Sequence, residues 1–278
     1  MARNIPNGST ATKDFPETPA VVVPESTWTV EYAIDFTDEG THNFSSSATK
    51  DLTNNGKTVT WTAANVAASD KFELTSSGLE IDPKGGGQHI WQQTMTLPFI
   101  HAKLTDMMTS LSDDDTVAIQ LYMDSSPVPS ANYDSYGLNL WNLNNGSTQK
   151  YLHLRYYYNT APSAQKYLEA FNESGGYDTL AQSTVQTFFE IVLYPGNGAT
   201  ARTGVFDTTF PTPLAASSFD TFASLSAIGI GGGGGTSLPS FAIPKAEASF
   251  VIHAQRQSSG TSFTTTSYKM RVLRRKKT

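Results

Sequence analysis

Hydrophobic and polar positions along this chain alternate with a period of two in short runs, the pattern of strands with one buried face. In WTVEYAIDF (28–36), Val30, Tyr32, Ile34 and Phe36 fall on one side and Thr29, Glu31, Ala33 and Asp35 on the other. KTVTWTAA (57–64), KFELT (71–75) and GLEID (78–82) follow, separated by Asn-Asn-Gly and Ser-Ser-Gly turn signals. The same pattern predicts strands at HIWQQTMTL (89–97), DTVAIQLYM (115–123), GLNLWNL (137–143), YLHLRYYY (151–158), TFFEIVLY (187–194) and ASFVIHAQR (248–256). These runs are rich in β-branched and aromatic residues and bounded by Gly, Asn, Pro or Ser, the signature of an antiparallel all-β domain.

One segment has a helical period. Ile100, Leu104, Met107, Met108 and Leu111 share one face if 99–111 is a helix, and Pro98 suits its first turn. Asp113–Asp115 then belong to the turn into the next strand. A hairpin tip is predicted at Asn144-Asn145-Gly146, while 163–171 fits either a short helix or a strand. GIGGGGG (229–235) is too glycine-rich for a regular strand and predicts a loop or a close backbone approach. Residues 1–26 hold Pro6, Pro16, Pro19 and Pro24 with little periodicity and read as an extended arm. The expected organisation is an arm at 1–26, a sandwich at 27–258, and a C-terminal strand with a basic tail at 259–278.

Composition narrows the functional classes. With 278 residues the chain can bury a full core as one unit. Charged residues are 16% of it, against roughly 25% in ordinary globular chains. The absence of cysteine excludes disulfides, thiol catalysis and cysteine-bound zinc, and favours assembly in a reducing cytosol. The first twenty residues have no apolar core of a signal peptide, and no run approaches the roughly 18 apolar residues of a membrane span. Net charge is −6; setting aside the five cations Arg271, Arg274, Arg275, Lys276 and Lys277 leaves a body at −11. Those five are candidate docking residues for an acidic neighbour or polyanion, with a solvated tail as the competing assignment. Phe15, Val21, Val22 and Val23 are the corresponding apolar candidates on the arm.

Several pieces carry a family likeness: GLEID before a Trp-containing strand, DTVAIQLYM, and the GLNLWNL–YLHLRYYY hairpin. TFFEIVLYPGNGATARTGVF around a tight turn, and SAIGIGGG ahead of a closing ASFVIHAQR, complete the set. Over residues 28–256 their order resembles the concanavalin A-like lectin/glucanase (laminin-G-like) jelly roll. The resemblance implies an all-β, antiparallel two-sheet jelly-roll sandwich with one short helix, an extended N-terminal arm and a basic C-terminal tail. Modules of this shape are common in phage virion proteins, and the proline-rich arm and polar, uncharged composition look like a virion subunit. The implied function is non-enzymatic: a capsid decoration (cement) subunit assembled in the host cytoplasm, homo-oligomeric, and docked on other virion proteins. The implied alternatives are a carbohydrate-binding module of a tail or head fibre, and a jelly-roll capsid protein of a small virus. Neither a membrane nor a nucleic acid is expected as partner.

Catalytic patterns fail on inspection. Retaining glucanases of that family carry Glu-x-Asp-x-x-Glu, which brings two carboxyls to about 5–5.5 Å. Glu80-Ile81-Asp82 begins such a run, but Pro83 breaks the strand and Gly85 stands where the acid is needed. Asp113, Asp114 and Asp115 are consecutive, so strand geometry splays them, and no EF-hand spacing exists. His42, His89, His101, His153 and His253 show no HxH or HExxH spacing; His153 and His253 sit mid-strand, where a structural role is expected. No catalytic residue, metal or cofactor is therefore expected. For a glycan, Trp141, Tyr156 and Tyr158 would supply ring platforms and Asn144 a polar contact, the competing assignment being core or subunit-interface aromatics.

Overall fold

A computed structural model describes residues 28–82, 98–127, 129–130, 134–143, 151–159, 165–172, 177–182, 187–195, 199–204, 210, 212–213, 244–256 and 263–275. In chain order the strands are β1 (Thr29–Asp35), β2 (His42–Asn43), β3 (Thr49–Asn54), β4 (Lys57–Ala64), β5 (Lys71–Thr75), β6 (Gly78–Asp82), β7 (Phe99–Lys103) and β8 (Thr116–Ser126). They continue with β9 (Ser135–Trp141), β10 (Tyr151–Asn159), β11 (Gln165–Asn172), β12 (Tyr177–Gln182), β13 (Phe188–Leu193), β14 (Ala199–Gly204), β15 (Ser249–Gln255) and β16 (Thr264–Arg275). The first sheet runs β14-β13-β8-β16-β6-β5-β2, with β1 also paired to β16. The second runs β12-β11-β10-β9-β15-β7-β4-β3. Neighbours in both sheets are antiparallel. The molecule is a two-sheet β-sandwich.

One main core fills the space between the sheets. Tyr32, Ile119, Leu121, Ile191, Met270 and Val272 enter it from the first sheet, and Trp61, Ile100, Leu138, Leu154, Phe250 and Ile252 from the second. Trp61 anchors one end, edge-on to Phe36 at 5.5 Å and to Phe250 at 5.6 Å between ring centroids. Tyr136 anchors the other, 5.5 Å from Tyr156 and 5.8 Å from Phe189. Ring pairs at these separations add to the burial of their area.

The predicted helix at 99–111 is mostly a strand. Phe99–Lys103 lies between β15 and β4 in the second sheet, and only Leu104–Met107 forms a helical turn, α1. Two ladders outweigh the local helical period here. Leu104, Met107 and Met108 are buried as that period required, but through a strand followed by one turn.

A second correction concerns β1. Its register with β16 shifts between Val30 and Tyr32, so Glu31 is the extra residue of a bulge. Val30, expected inside, is 39% exposed, while Glu31, expected outside, is buried. The third is the C-terminus. The strand expected there, residues 264–275, lies between β8 on one side and β1 and β6 on the other and runs on through Arg275, so Arg271, Arg274 and Arg275 belong to it and not to a tail. Of the ambiguous stretch, Gln165–Asn172 is strand. The arm at 1–26, the strand at 89–97, the Asn144–Gly146 tip, the glycine run at 229–235, and Lys276 and Lys277 lie outside the described residues.

Candidate functional site

The three described glycan candidates, Trp141, Tyr156 and Tyr158, do not share one face of the sheet. Trp141 pairs in register with Tyr151, so alternation puts Tyr156 and Tyr158 on the opposite face of the sheet. Trp141 is buried on the outer face, stacked on Phe99 with centroids 6.3 Å apart. Tyr156 points into the core, and burial pushes its hydroxyl up to about 12. Tyr158 is half-buried, and Asn144 lies outside the described residues.

The outer face of the second sheet instead gathers polar residues that the sequence did not single out as a group. His253, Gly137 and Arg155 stand side by side across β15, β9 and β10, and Val251, Asn139 and His153 form the next row. Ser135 and Gln255 pair in the row beyond. Asn139, His153, Arg155, His253, Gln255 and Ser135 are all buried. Such a face would ordinarily be solvated, so burial there marks a built environment. Asn139 Nδ2 donates to His253 Nδ1 at 2.9 Å, which leaves the proton of the neutral imidazole on Nε2. Among the described residues, His253 Nε2, Asn139 Oδ1 and Ser135 Oγ have no hydrogen-bond partner. Trp141 lies 5.6 Å from the His153 ring, which is 6.1 Å from that of His253.

Burial sets the protonation of these rings. It lowers His253 to about 3 and His153 well below its usual value, and Arg155 adds repulsion to both. His101, on β7 of the same sheet, falls to about 4. All three are neutral at neutral pH. Apart from the Arg155 guanidinium, which stays charged, the cluster therefore offers neutral donors and acceptors beside aromatic rings. A signal for it existed in the sequence: His-x-Arg at 153–155 and His-x-Gln at 253–255 place polar pairs on the same face of two strands.

A second polar centre joins the first and last strands. Glu31, turned inward by its bulge, accepts from Lys57 Nζ at 2.7 Å and is ion-paired with Arg274. Arg274 also reaches Asp115 at 3.5 Å and donates to the Thr109 carbonyl at 2.8 Å. Burial pushes the Glu31 carboxyl up, but bonds from Lys57 and Arg274 outweigh it and hold the group below its usual value. Asp115 is thus buried and paired, not part of a solvated acidic turn. Asp113 receives the Lys245 amide at 2.8 Å. Among the described residues no group of three or more His, Cys, Asp or Glu is placed to hold a metal.

The basic candidates separate accordingly. Arg274 is internal and unavailable to a neighbour. Arg271 donates from Nε to Gln120 Oε1 at 2.6 Å and lies 4.9 Å over Phe210. Arg275 lies 5.3 Å over the Trp28 ring. Because Thr29 pairs with Arg274, the segment before β1 and the residues after β16 join the sandwich at one corner.

Among the described residues no helix is long and apolar enough to cross a membrane. No protein-family model matches the chain, and no curated protein matches it. Among solved structures it is similar to a botulinum neurotoxin serotype D binding domain, with TM-score 0.40 and 8% identity. That match covers 85% of this chain and 49% of the other, so the chain spans about half the length of that structure. Another similar structure is the alginate lyase Aly36B, with TM-score 0.32 and 9% identity over 88% of this chain and 96% of the other.

Proposed function

We propose that this chain is a non-enzymatic structural subunit of a bacteriophage virion, of the capsid-decorating kind. It would attach to neighbouring virion proteins through the segment preceding β1 and the basic residues following β16. The supporting observation is the corner where Thr29 faces Arg274. Two docking segments anchored at one point engage one neighbour together, and linked contacts gain avidity without new surface. Glu31 and Arg274 tie that corner into the sandwich, so a pull on either segment is borne by both sheets through Lys57 of β4.

Deletion of residues 1–26 tests this. Particle occupancy, measured by co-purification, is expected to fall by on the order of tenfold or more, with the β-type circular dichroism unchanged. Undiminished occupancy would refute attachment through the arm.

A second reading, recognition of a glycan, draws on the unpartnered His253 Nε2 and Asn139 Oδ1 beside the Trp141 and Phe99 rings. It stands behind the first because those atoms are buried. A glycan array should give binding that Asn139→Ala abolishes; a silent array with folded protein removes this reading.

A further inference from the structure

The β3–β4 hairpin turns on Asn55 and Gly56, with φ of 50° and 70°, the positive pair of a type I′ turn. In such a two-residue hairpin the closing pair, Asn54 and Lys57, exchanges both backbone hydrogen bonds, and bonded pairs then recur at every second residue. The register Leu52↔Val59 and Lys50↔Trp61 continues that series. Backbone groups of Asn54, Leu52 and Lys50 therefore face β4. Those of Thr49, Asp51 and Thr53 face outward. β3 ends the second sheet, and no described strand pairs with its outer side. It has no proline, and Thr49, Asp51 and Thr53 are exposed. An open edge of this kind is a template for another strand.

We propose that this β3 edge receives residues Ala20–Val23 of a second copy of the chain as an added antiparallel or parallel strand. The proposal rests on the virion-subunit reading and assigns the place where its arm lies. Val21, Val22 and Val23 are a β-branched run closed off by Pro19 and Pro24, so an added strand is limited to the short length that β3 can match. The location of β1 identifies the arm as the occupant. Tyr32 donates from its hydroxyl to the Leu52 carbonyl at 3.4 Å, and Lys57 Nζ donates to the Glu31 carbonyl at 2.8 Å. The arm thus leaves the sandwich beside the very hairpin that carries the open edge.

The same contacts favour exchange between copies. Stepping back from Tyr32 to Glu31 moves from Leu52 toward the Asn54–Lys57 end of the hairpin. Toward its N-terminal end β1 therefore runs in the direction of the hairpin turn and away from the Thr49 end of β3. A span of five residues, 24–28, can stretch to about 16 Å at most, long enough for the valines to meet an adjoining molecule.

Asp51→Pro in the full chain tests the assignment. It removes one outward N–H and blocks strand addition, while the amides that hold β4 belong to Leu52 and Lys50. Asp51→Ala, which keeps the N–H, is the control for loss of the Thr60 hydroxyl bond to the Asp51 carboxylate. Sedimentation velocity over a concentration series is read together with amide exchange at Thr49 and Thr53. Wild type and Asp51→Ala are expected to self-associate, with those amides slowed at least about tenfold relative to unpaired edge amides. That protection fades on dilution and is absent after deletion of residues 1–26, and Asp51→Pro loses association.

Self-association of Asp51→Pro at wild-type strength would overturn the proposal, as would a wild type that stays monomeric. Protection that persists on dilution would also overturn it, because the arm would then lie on its own chain. Particle occupancy separates the two levels. If it is lost with the arm but kept in Asp51→Pro, the edge assignment fails and attachment through the arm stands.

Discussion

Replacing Arg274 with methionine should cost about 3–5 kcal/mol of folding stability, the range for removing one partner of a buried ion pair. The loss has a defined origin. Arg274 is 7% exposed and meets the carboxylates of Glu31 and Asp115 and the carbonyl of Thr109. Methionine fills much of the volume but leaves Glu31 inside the bulge with Lys57 alone, and Asp115 without its cation. Urea unfolding measures the change, and a second variant locates its cause. Glu31→Gln combined with Arg274→Met should recover part of the loss, because the stranded charge is gone. A single variant within about 0.5 kcal/mol of wild type would place Arg274 among ordinary surface residues.

Gly137→Ala should be nearly as damaging, at about 3 kcal/mol, the upper end for overpacking a rigid interior. Gly137 sits mid-strand on β9, between His253 and Arg155. A Cβ there would fall on the Leu154 carbonyl oxygen and come within 2.8 Å of the Arg155 Cα. Those atoms are backbone of the neighbouring strand, so no side chain can swing aside. β9 and β10 would have to part in the middle of the second sheet, disturbing the row that holds His253. Thermal unfolding of the variant should begin well below wild type, and an unchanged transition would contradict so close an approach of the two strands.

What could be read from the sequence divides along a physical line. β4, β5 and β6 have the bounds that alternation and turn residues predicted, Lys57–Ala64, Lys71–Thr75 and Gly78–Asp82. There local chemistry and tertiary pairing agree. In 99–111 they conflict: Ile100 and Leu104 suit a helix, but β15 and β4 flank Phe99–Lys103 and hold it extended. The inward turn of Glu31 was hidden because a bulge reverses alternation without a residue-type signature. The end of β16, residues 271–275, was read as part of a basic tail because of its cations. Yet Met270 and Val272 alternate with Arg271 and Leu273, and both buried aliphatics face the main core. The outer-face cluster was hidden for another reason. Asn139, Arg155 and His253 lie far apart in sequence and meet only when β10, β9 and β15 pair in that order.

The placement of β16 has a consequence for synthesis. The strand that β8, β1 and β6 share as a neighbour is the last of the described strands to leave the ribosome. Until it emerges, all three await the same ladder partner, and the first sheet exists only as fragments with bare hydrogen-bonding rims. Such non-local pairing makes folding slow and the nascent intermediate prone to clump with its like. Polypeptides cut short before residue 264 would remain in that state, so the cell should accumulate whole sandwiches or aggregates, with little in between.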